Sequence, residues 1–342
     1  MILNVDRRLK SPINLMRKLK WGVAGCGKFA ETTFIPTLLQ LKKSSLVAVY
    51  SSEIIRSKEI ANKYFAKNYF NDFSEFLKQD FEILYIGSAN KDHYWQVIEA
   101  AKAGKHILCE KPLALNSQQA QEMVDACKSN GVFLSINYPH RFHPLPVKAK
   151  EIIEKGMIGS IVSVSTSFNI NYEPDDNFRF DIEKSGGGAF RDLGTHMIDL
   201  LRFFGGEIID ITGFIDNVVY KSQVDDFAAA VVKYKKGGYG FLNVSYNSKQ
   251  AFNRIDIVGS HGSISIENII GRKKQPGKLT IDLFGEGRKA FRKRANKLLI
   301  LLRSIQKSIL NNSEPEITGY DGLINMQIME ILESKCKNLV KQ

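Results

Sequence analysis

From residue 20 to residue 137, short apolar runs alternate with longer amphipathic segments. The runs Lys20–Ala24, Leu46–Ser51, Glu82–Gly87, His106–Cys109 and Val132–Ile136 have strand length and few polar positions. Between them, Phe29–Leu41, Ser57–Phe65, Asp92–Ala103 and Ser117–Ser129 space their apolar residues along one helix face. Strand and helix in turn, joined by short loops with Gly or Ser, predict a parallel sheet covered on both faces.

After Asn137 the pattern changes. It predicts a helix over Leu145–Lys155, a strand over Ser160–Asn169 and a helix behind the triplet Gly186, Gly187, Gly188. Alternating runs follow at Glu207–Asp216, Ala228–Tyr234, Tyr239–Tyr246, Arg254–Gly259 and Ser263–Glu267. Turn signals such as Lys236-Gly237-Gly238 between them predict a mainly antiparallel sheet in a second domain. A chain of 342 residues is long for one core, which agrees with two domains.

The first strand runs into Gly25-Cys26-Gly27-Lys28-Phe29-Ala30, a GxGxxA turn that opens a helix. Gly25 permits the tight turn, Gly27 lets a pyrophosphate approach the backbone, and Ala30 lets the helix pack on the strand. The helix N-terminus adds unpaired N–H groups and partial positive charge. Gly25, Gly27, Lys28, Phe29 and Ala30 are therefore the first cofactor-binding candidates, on a Rossmann-type doubly wound sheet.

The tip of the second strand discriminates between dinucleotides. It reads Tyr50-Ser51-Ser52-Glu53, with Arg56 and Lys58 close behind. Ser51 and Ser52 offer hydroxyls and Arg56 a charge-assisted partner for a 2′-phosphate, so NADP is favoured over NAD. Glu53 is the counter-signal, because an acid at this position grips the ribose of NAD.

Composition narrows the class further. With 44% hydrophobic and 25% charged residues the chain reads as globular. No apolar run approaches the ~20 residues of a membrane span, so no stable membrane insertion is expected. The basic lead-in has no signal-length apolar stretch behind it, which predicts a cytoplasmic protein. Cys26, Cys109, Cys127 and Cys336 show no CxxC or metal spacing and read as reduced thiols, with no metal site. The net charge of +12 suits an anionic cofactor or substrate, and no nucleic-acid-reading module is present.

Two further stretches carry chemistry. His106-Ile107-Leu108-Cys109-Glu110-Lys111-Pro112 places Lys111 at the carboxyl edge of the sheet, where ligands of such folds bind. Behind the glycine triplet, Asp192 and His196 are spaced i, i+4 and so share one helix face. Alone, Asp192 serves equally well as an acid stabilising a helix N-terminus, and a single helical histidine is more often structural.

In this order the motifs resemble the glucose–fructose oxidoreductase, inositol dehydrogenase and rhizopine-catabolism (Gfo/Idh/MocA) family. The resemblance is carried by GxGxxA, Ser88-Ala89-Asn90-Lys91-Asp92-His93, Ala103-Gly104-Lys105-His106 leading into Glu110-Lys111-Pro112, and Arg141-Phe142-His143-Pro144. The triplet with Asp192 and His196, and Thr318-Gly319-Tyr320-Asp321-Gly322, complete it. It spans most of the chain, and departs from the family in the lead-in and in the basic stretch after Gly287.

The resemblance implies a lead-in over 1–19, a dinucleotide domain over 20–137 and an α+β substrate and oligomerisation domain over 138–318. A C-terminal helix over 319–342 would pack back on the first domain. The second sheet would be open-faced and would assemble a homodimer or homotetramer. Lys111, Asp192 and His196 would work together around the nicotinamide, with His196 as general acid/base, since imidazole titrates near neutrality. Ser88, Asn90, His93, Glu110 and Lys111 would lie along the cofactor. Tyr138, His140 and Arg141 are candidates for the cleft, with Tyr138 and Arg141 beside Asp192 and His196 as the substrate set.

The expected activity is hydride transfer between NAD(P) and a sugar, polyol or sugar derivative, nucleotide sugars included. Two alternatives share the fold: a glycosidase using NAD for transient oxidation, and a non-catalytic NADP-sensing regulator. The basic stretch Arg288 to Lys307 reads as one helix whose Leu298–Leu302 segment packs on the protein.

Overall fold

The computed structural model describes residues 17–270 and 275–339. Most of the basic lead-in (1–16) and the last residues of the expected C-terminal helix (340–342) therefore lie outside the described residues.

Six parallel strands form the first sheet: β1 (Leu19–Ala24), β2 (Ser44–Tyr50), β3 (Asn68–Phe70), β4 (Ile83–Ile86), β5 (His106–Cys109) and β6 (Leu134–Ile136). Their order is β3-β2-β1-β4-β5-β6. At the centre, Trp21, Val23 and Ala24 of β1 are sealed from solvent, so the strand reads as a continuous apolar run. The helices are α1 (Ile35–Leu38), α2 (Ile54–Tyr64), α3 (Phe73–Leu77), α4 (Asn90–Lys102) and α5 (Ser117–Ser129). A π-helical turn at Ala30–Phe34 leads into α1. β3 and α3 carry too few residues to print a period; α3 forms because the Asp72 carboxylate accepts the N–H groups of Ser74 and Glu75. The strand order reverses between β1 and β4, which opens a crevice above their carboxyl ends.

The chain enters the second domain through a 3-10 turn at Pro139–Phe142, then α6 (Pro144–Glu154) and β7 (Ile161–Asn171). A turn at Phe178–Phe180 and α7 (Ile182–Ser185) precede the glycine triplet. A second π-helical turn, Phe190–Gly194, leads into α8 (Thr195–Gly205). Strands β8 (Ile208–Asp216), β9 (Phe227–Tyr234), β10 (Tyr239–Ser245), β11 (Asn247–Gly259), β12 (Gly262–Glu267), β13 (Gly277–Leu283) and β14 (Gly287–Lys293) complete a sheet ordered β14-β13-β12-β11-β7-β10-β9-β8.

Only the β7–β10 pair is parallel, so the sheet is mainly antiparallel, as the alternation predicts. Val164, Thr166, Leu242, Val244 and Val232 point to the buried side, where α8 packs. Val231, Tyr239, Phe241 and Val258 are exposed on the other side.

Two helices close the chain, α9 (Lys297–Leu310) and α10 (Gly319–Leu339). The basic stretch expected as one helix is divided. Its first part is the edge strand β14, in register with β13 through Phe291–Leu279 and Ala290–Thr280. Charge at most positions of β14 hides its alternation. The helix starts only at Lys297, where the Asn296 carboxamide oxygen accepts the Leu299 N–H at 3.1 Å. Leu298, Leu301, Leu302 and Ile305 are buried, so the apolar face of α9 belongs to the core. Among the described residues no helix is long and apolar enough to cross a membrane.

α10 packs on α5 and β6 of the first layer and on α8 and β8 of the second, not on the first domain alone. Glu330 accepts the Ser117 N–H at 2.7 Å, and Glu333 pairs with Arg191 at 2.5 Å. The helix thus ties the two sheets together.

Candidate active site

The glycine turn occupies the crevice at the end of β1. Gly25 has φ +89°, and a Cβ there would lie 2.4 Å from the backbone of Gly87 and Ser88. A Cβ on Gly27 would meet nothing within 4 Å. Gly27, Lys28 and Phe29 are exposed, while Ala30 is buried against the sheet. The turn therefore offers open backbone at the start of a helix, as a pyrophosphate requires.

Beside it, Arg56 donates from Nε to the Cys26 carbonyl at 2.9 Å. Its remaining nitrogens pair with Glu31 at 2.5 Å and Glu59 at 3.1 Å. Ser51 accepts the Glu53 N–H, Ser52 is exposed, and Glu53 stands at the start of α2 without capping it.

The loop after β4 is built as a brace. Ser88 donates to the Gln96 side-chain oxygen at 2.5 Å. Asn90 donates to the Ser185 carbonyl at 2.8 Å, which clasps the two domains. His93 is fully buried between the carbonyls of Pro112 (3.0 Å) and Ser88 (3.3 Å), and burial depresses its imidazole. Glu110 accepts from the Tyr85 hydroxyl at 2.9 Å and the Asn137 amide at 2.5 Å, and burial raises its carboxyl. Asn90, His93 and Glu110, expected along the cofactor, each have protein partners: His93 and Glu110 brace the loop that carries Lys111, and Asn90 binds across to Ser185. That loop contains a cis Lys111–Pro112 peptide.

Lys111 reaches across the crevice to the second domain. Its Nζ lies 2.5 Å from the Asp192 carboxylate and 2.7 Å from the Asp192 carbonyl. The other carboxylate oxygen accepts the Tyr246 hydroxyl at 2.8 Å and lies 3.4 Å from the Arg179 guanidinium. Although burial raises the Asp192 carboxyl, Lys111 and Arg179 outweigh it and hold the group far below the usual carboxylate range. Asp192 is thus a fixed anion. It lies in the second π-helical turn while His196 lies in α8, and no hydrogen bond joins them, so the spacing alone did not create a bonded pair.

The His196 ring is held by packing. Tyr138 stands edge-on at 6.0 Å between centroids and His140 at 4.6 Å. His196 Nδ1 is buried with no hydrogen-bond partner. Burial and the Lys111 charge push the imidazole well below its ordinary value, against the opposing pull of Asp192. The result is a neutral base beside a fixed ion pair.

Tyr138 and Arg141, expected in the substrate set, are each engaged by protein partners. Tyr138 is buried behind His196, its hydroxyl 2.8 Å from that of Thr195. Arg141 is spent on Asp199 at 2.5 Å and Asp321 at 3.1 Å. Asp199, on the same helix as His196, is the partner that fixes Arg141 from α8. Beside Asp192 the site also holds Arg179 and Tyr246, with Tyr172 and Phe180 forming an aromatic wall around Tyr246. Tyr246 ends a run that the alternation marked, but nothing local says that its hydroxyl meets Asp192. Arg179 sits in the irregular segment before the glycine triplet, where one sequence prints no code.

Residues 19–138 match the oxidoreductase family with an NAD-binding Rossmann fold, and residues 147–265 match the GFO/IDH/MocA C-terminal domain. The chain belongs to the Gfo/Idh/MocA oxidoreductase family. A myo-inositol 2-dehydrogenase from Thermotoga maritima is 27% identical, with 89% of this chain and 92% of that protein covered.

Solved structures share the fold. A levoglucosan dehydrogenase with NADH and levoglucosan superposes with a TM-score of 0.85 at 21% identity, covering 94% of this chain and 98% of that one. A 3-ketoreductase from Actinomadura kijaniata with NADP and TDP-benzene gives 0.82 at 20% identity, over 93% and 98%.

Proposed function

We propose that the chain moves hydride between a nicotinamide dinucleotide and a carbinol carbon of a sugar, polyol or sugar derivative. His196 is the acid/base, and Lys111 and Asp192 assist it. The observation that carries this reading is the partly buried Lys111–Asp192 pair beside a neutral imidazole whose Nδ1 has no protein partner. The relatives support the substrate class: one is named for myo-inositol, and a fold neighbour holds levoglucosan.

The residues present fit the dinucleotide, because Gly27 presents bare backbone to open space at a helix start. When bound, the nicotinamide supplies the hydride acceptor or donor. His196 takes the hydroxyl proton as a substrate is oxidised and returns it in reduction. Lys111, with its ammonium pinned by Asp192, places positive charge where alkoxide character develops at the reacting oxygen. Tyr246 and Arg179 fix the Asp192 carboxylate, so Lys111 cannot swing away. Partial burial shelters the pair and strengthens each of these contacts.

NADP is the proposed dinucleotide. Ser51 and Ser52 directly follow β2, ahead of Glu53, and Arg56 is anchored across the glycine turn. Glu31 and Glu59 share that guanidinium, which limits the gain. Arg56→Ala should weaken NADPH binding about tenfold and leave NADH nearly unchanged, measured by fluorescence titration. Equal losses for both would favour NAD.

The exposed Val231, Tyr239, Phe241 and Val258 of the second sheet support a homodimer or homotetramer through that face in a cytoplasmic protein. A strictly monomeric mass by light scattering would contradict this.

The activity is tested by a panel of polyols, sugars and nucleotide sugars with NAD and NADP, followed by nicotinamide absorbance. Turnover that disappears in His196→Ala, with dinucleotide binding retained, is expected. Free sugar released without net nicotinamide reduction would indicate the glycosidase, and binding without any turnover would indicate the regulator.

A further inference from the structure

Sheltered arginines of the second domain differ in how their charge is met. Arg191 bonds both oxygens of Glu333 at 2.5 Å and the Leu115 carbonyl at 2.7 Å. Arg141 bonds the two oxygens of Asp199 at 3.0 and 2.5 Å and reaches Asp321 at 3.1 Å. Arg179, in the turn Phe178–Phe180, is held loosely. Its Nε lies 3.4 Å from Asp192, its Nη1 donates to the Asn177 side-chain oxygen at 3.4 Å, and it lies over the Phe178 ring at 4.8 Å. Its side chain is 31% exposed, against 14% for Arg141 and 7% for Arg191, so the guanidinium keeps an open side.

The carboxylate that Arg179 meets is shared. Asp192 takes the Lys111 ammonium on one oxygen, and Tyr246 and Arg179 on the other. One anion therefore serves two cations. Glu110 is bonded to Tyr85 and Asn137 and makes no ion pair with either cation. Glu173, Asp175 and Asp176 precede Arg179 in the chain, but all three are exposed, and no ion pair among the described residues joins them to it. The cluster of Lys111, Arg179 and Asp192 thus keeps one positive charge in excess.

Position gives that charge a use. Lys111 and Arg179 flank the two oxygens of one carboxylate, close enough for a single sugar ring to meet both. Tyr172 and Phe180 stand around Tyr246 at 5.3 and 5.8 Å between centroids and line the same side with aromatic surface. Aromatic walls with a few convergent polar groups are how small-ligand sites fix orientation. A guanidinium offers a planar fork of donors that matches a carboxylate or a phosphate.

We propose that Arg179 binds an anionic substituent of the substrate, so that the site takes a sugar carboxylate or sugar phosphate in preference to a neutral sugar. The inference rests on reading Lys111, Asp192 and His196 as the place of hydride transfer. The reacting carbinol lies at Lys111 and His196, and the anion is anchored at Arg179, beyond Asp192. Anchoring at one end decides which carbinol of the ring reaches the nicotinamide.

The experiment is calorimetric titration of the full chain saturated with NADPH or NADH, whichever binds tighter. The probes are D-glucuronate, its methyl ester, D-glucose and glucose 6-phosphate. The ester keeps the ring and removes the charge. At least one charged probe should bind about tenfold or more tighter than both neutral ones. Arg179→Gln should erase that preference, and Arg179→Lys, which keeps the charge without the fork, should retain part of it. Unchanged dinucleotide affinity shows that a variant is folded; should Arg179→Gln fail to fold, the reduced preference in Arg179→Lys decides. The tighter of the two charged probes tells carboxylate from phosphate.

Neutral probes that bind as tightly as charged ones, a preference that survives Arg179→Gln, or binding of no probe overturns the proposal. Turnover separates it from the reading beneath it. Neutral sugars oxidised without any preference for charge, with His196→Ala inactive, remove only the role of Arg179. An Arg179-dependent preference with His196→Ala fully active upholds the anion subsite and removes the acid/base reading.

Discussion

Two glycine segments open helices through the same kind of π-helical turn, and their glycines answer to different neighbours. At Gly27 the space a side chain would take is empty, at the start of the first helix. At Gly188 a Cβ would lie 1.9 Å from the Asp225 carbonyl, so the protein itself fills that space. Asp225 also accepts the N–H groups of Gly188 and Phe190 at 2.8 and 2.7 Å. The first segment leaves room for a ligand. The second is locked by its own chain, so that the next turn delivers Asp192 and His196 to Lys111. A glycine-rich stretch therefore implies a ligand only where the missing side chain faces open space.

The sharpest way to break the contrast is Gly188→Ala. The new methyl group must displace the Asp225 backbone, and a loss of about 3–5 kcal/mol in denaturant unfolding is expected, with activity falling alongside. Gly27→Ala is the counterpart. It should leave stability within about 1 kcal/mol and weaken dinucleotide binding on the order of 10–100-fold, by calorimetric titration. Equal stability losses in the two variants would dissolve the distinction.

A smaller effect concerns Asp225 itself. Burial raises its carboxyl from 3.8 to about 6, against the pull of the two N–H groups. Between those values the native state holds a proton that the unfolded chain has released. The stability attached to this group is thus full below the lower value and is lost as pH rises through about 6. Asp225→Asn should flatten that slope by about 1–2 kcal/mol between mildly acid and neutral pH, read from urea unfolding. An unchanged slope would place the titrating group elsewhere.

Much of this was legible in the chain. Buried parallel strands print as continuous apolar runs, so five of the six strands of the first sheet could be marked within a few residues. β14 escaped because Lys289, Arg292 and Lys293 interrupt its pattern and its pairing with β13 is made by tertiary contact. Lys111, Asp192 and His196 were visible as residue types at strand and helix openings. Arg179 and Tyr246 were not, because their only signal is a meeting with Asp192 over long stretches of sequence. Asn90, His93, Glu110, Tyr138 and Arg141 add contacts that no local pattern shows: each spends polar groups on a protein partner.

The contrast matters because the locked segment delivers Asp192 and His196 to Lys111 of the first domain, beside the turn left open for a ligand. The most direct test is a double-mutant cycle of Lys111→Met and His196→Asn on kcat/KM. If the residues act as one unit, each single variant should lose on the order of 10³-fold or more and the double variant little beyond that. Losses that simply multiply, or a His196→Asn enzyme that keeps near-normal turnover, would contradict a shared site built across the two domains.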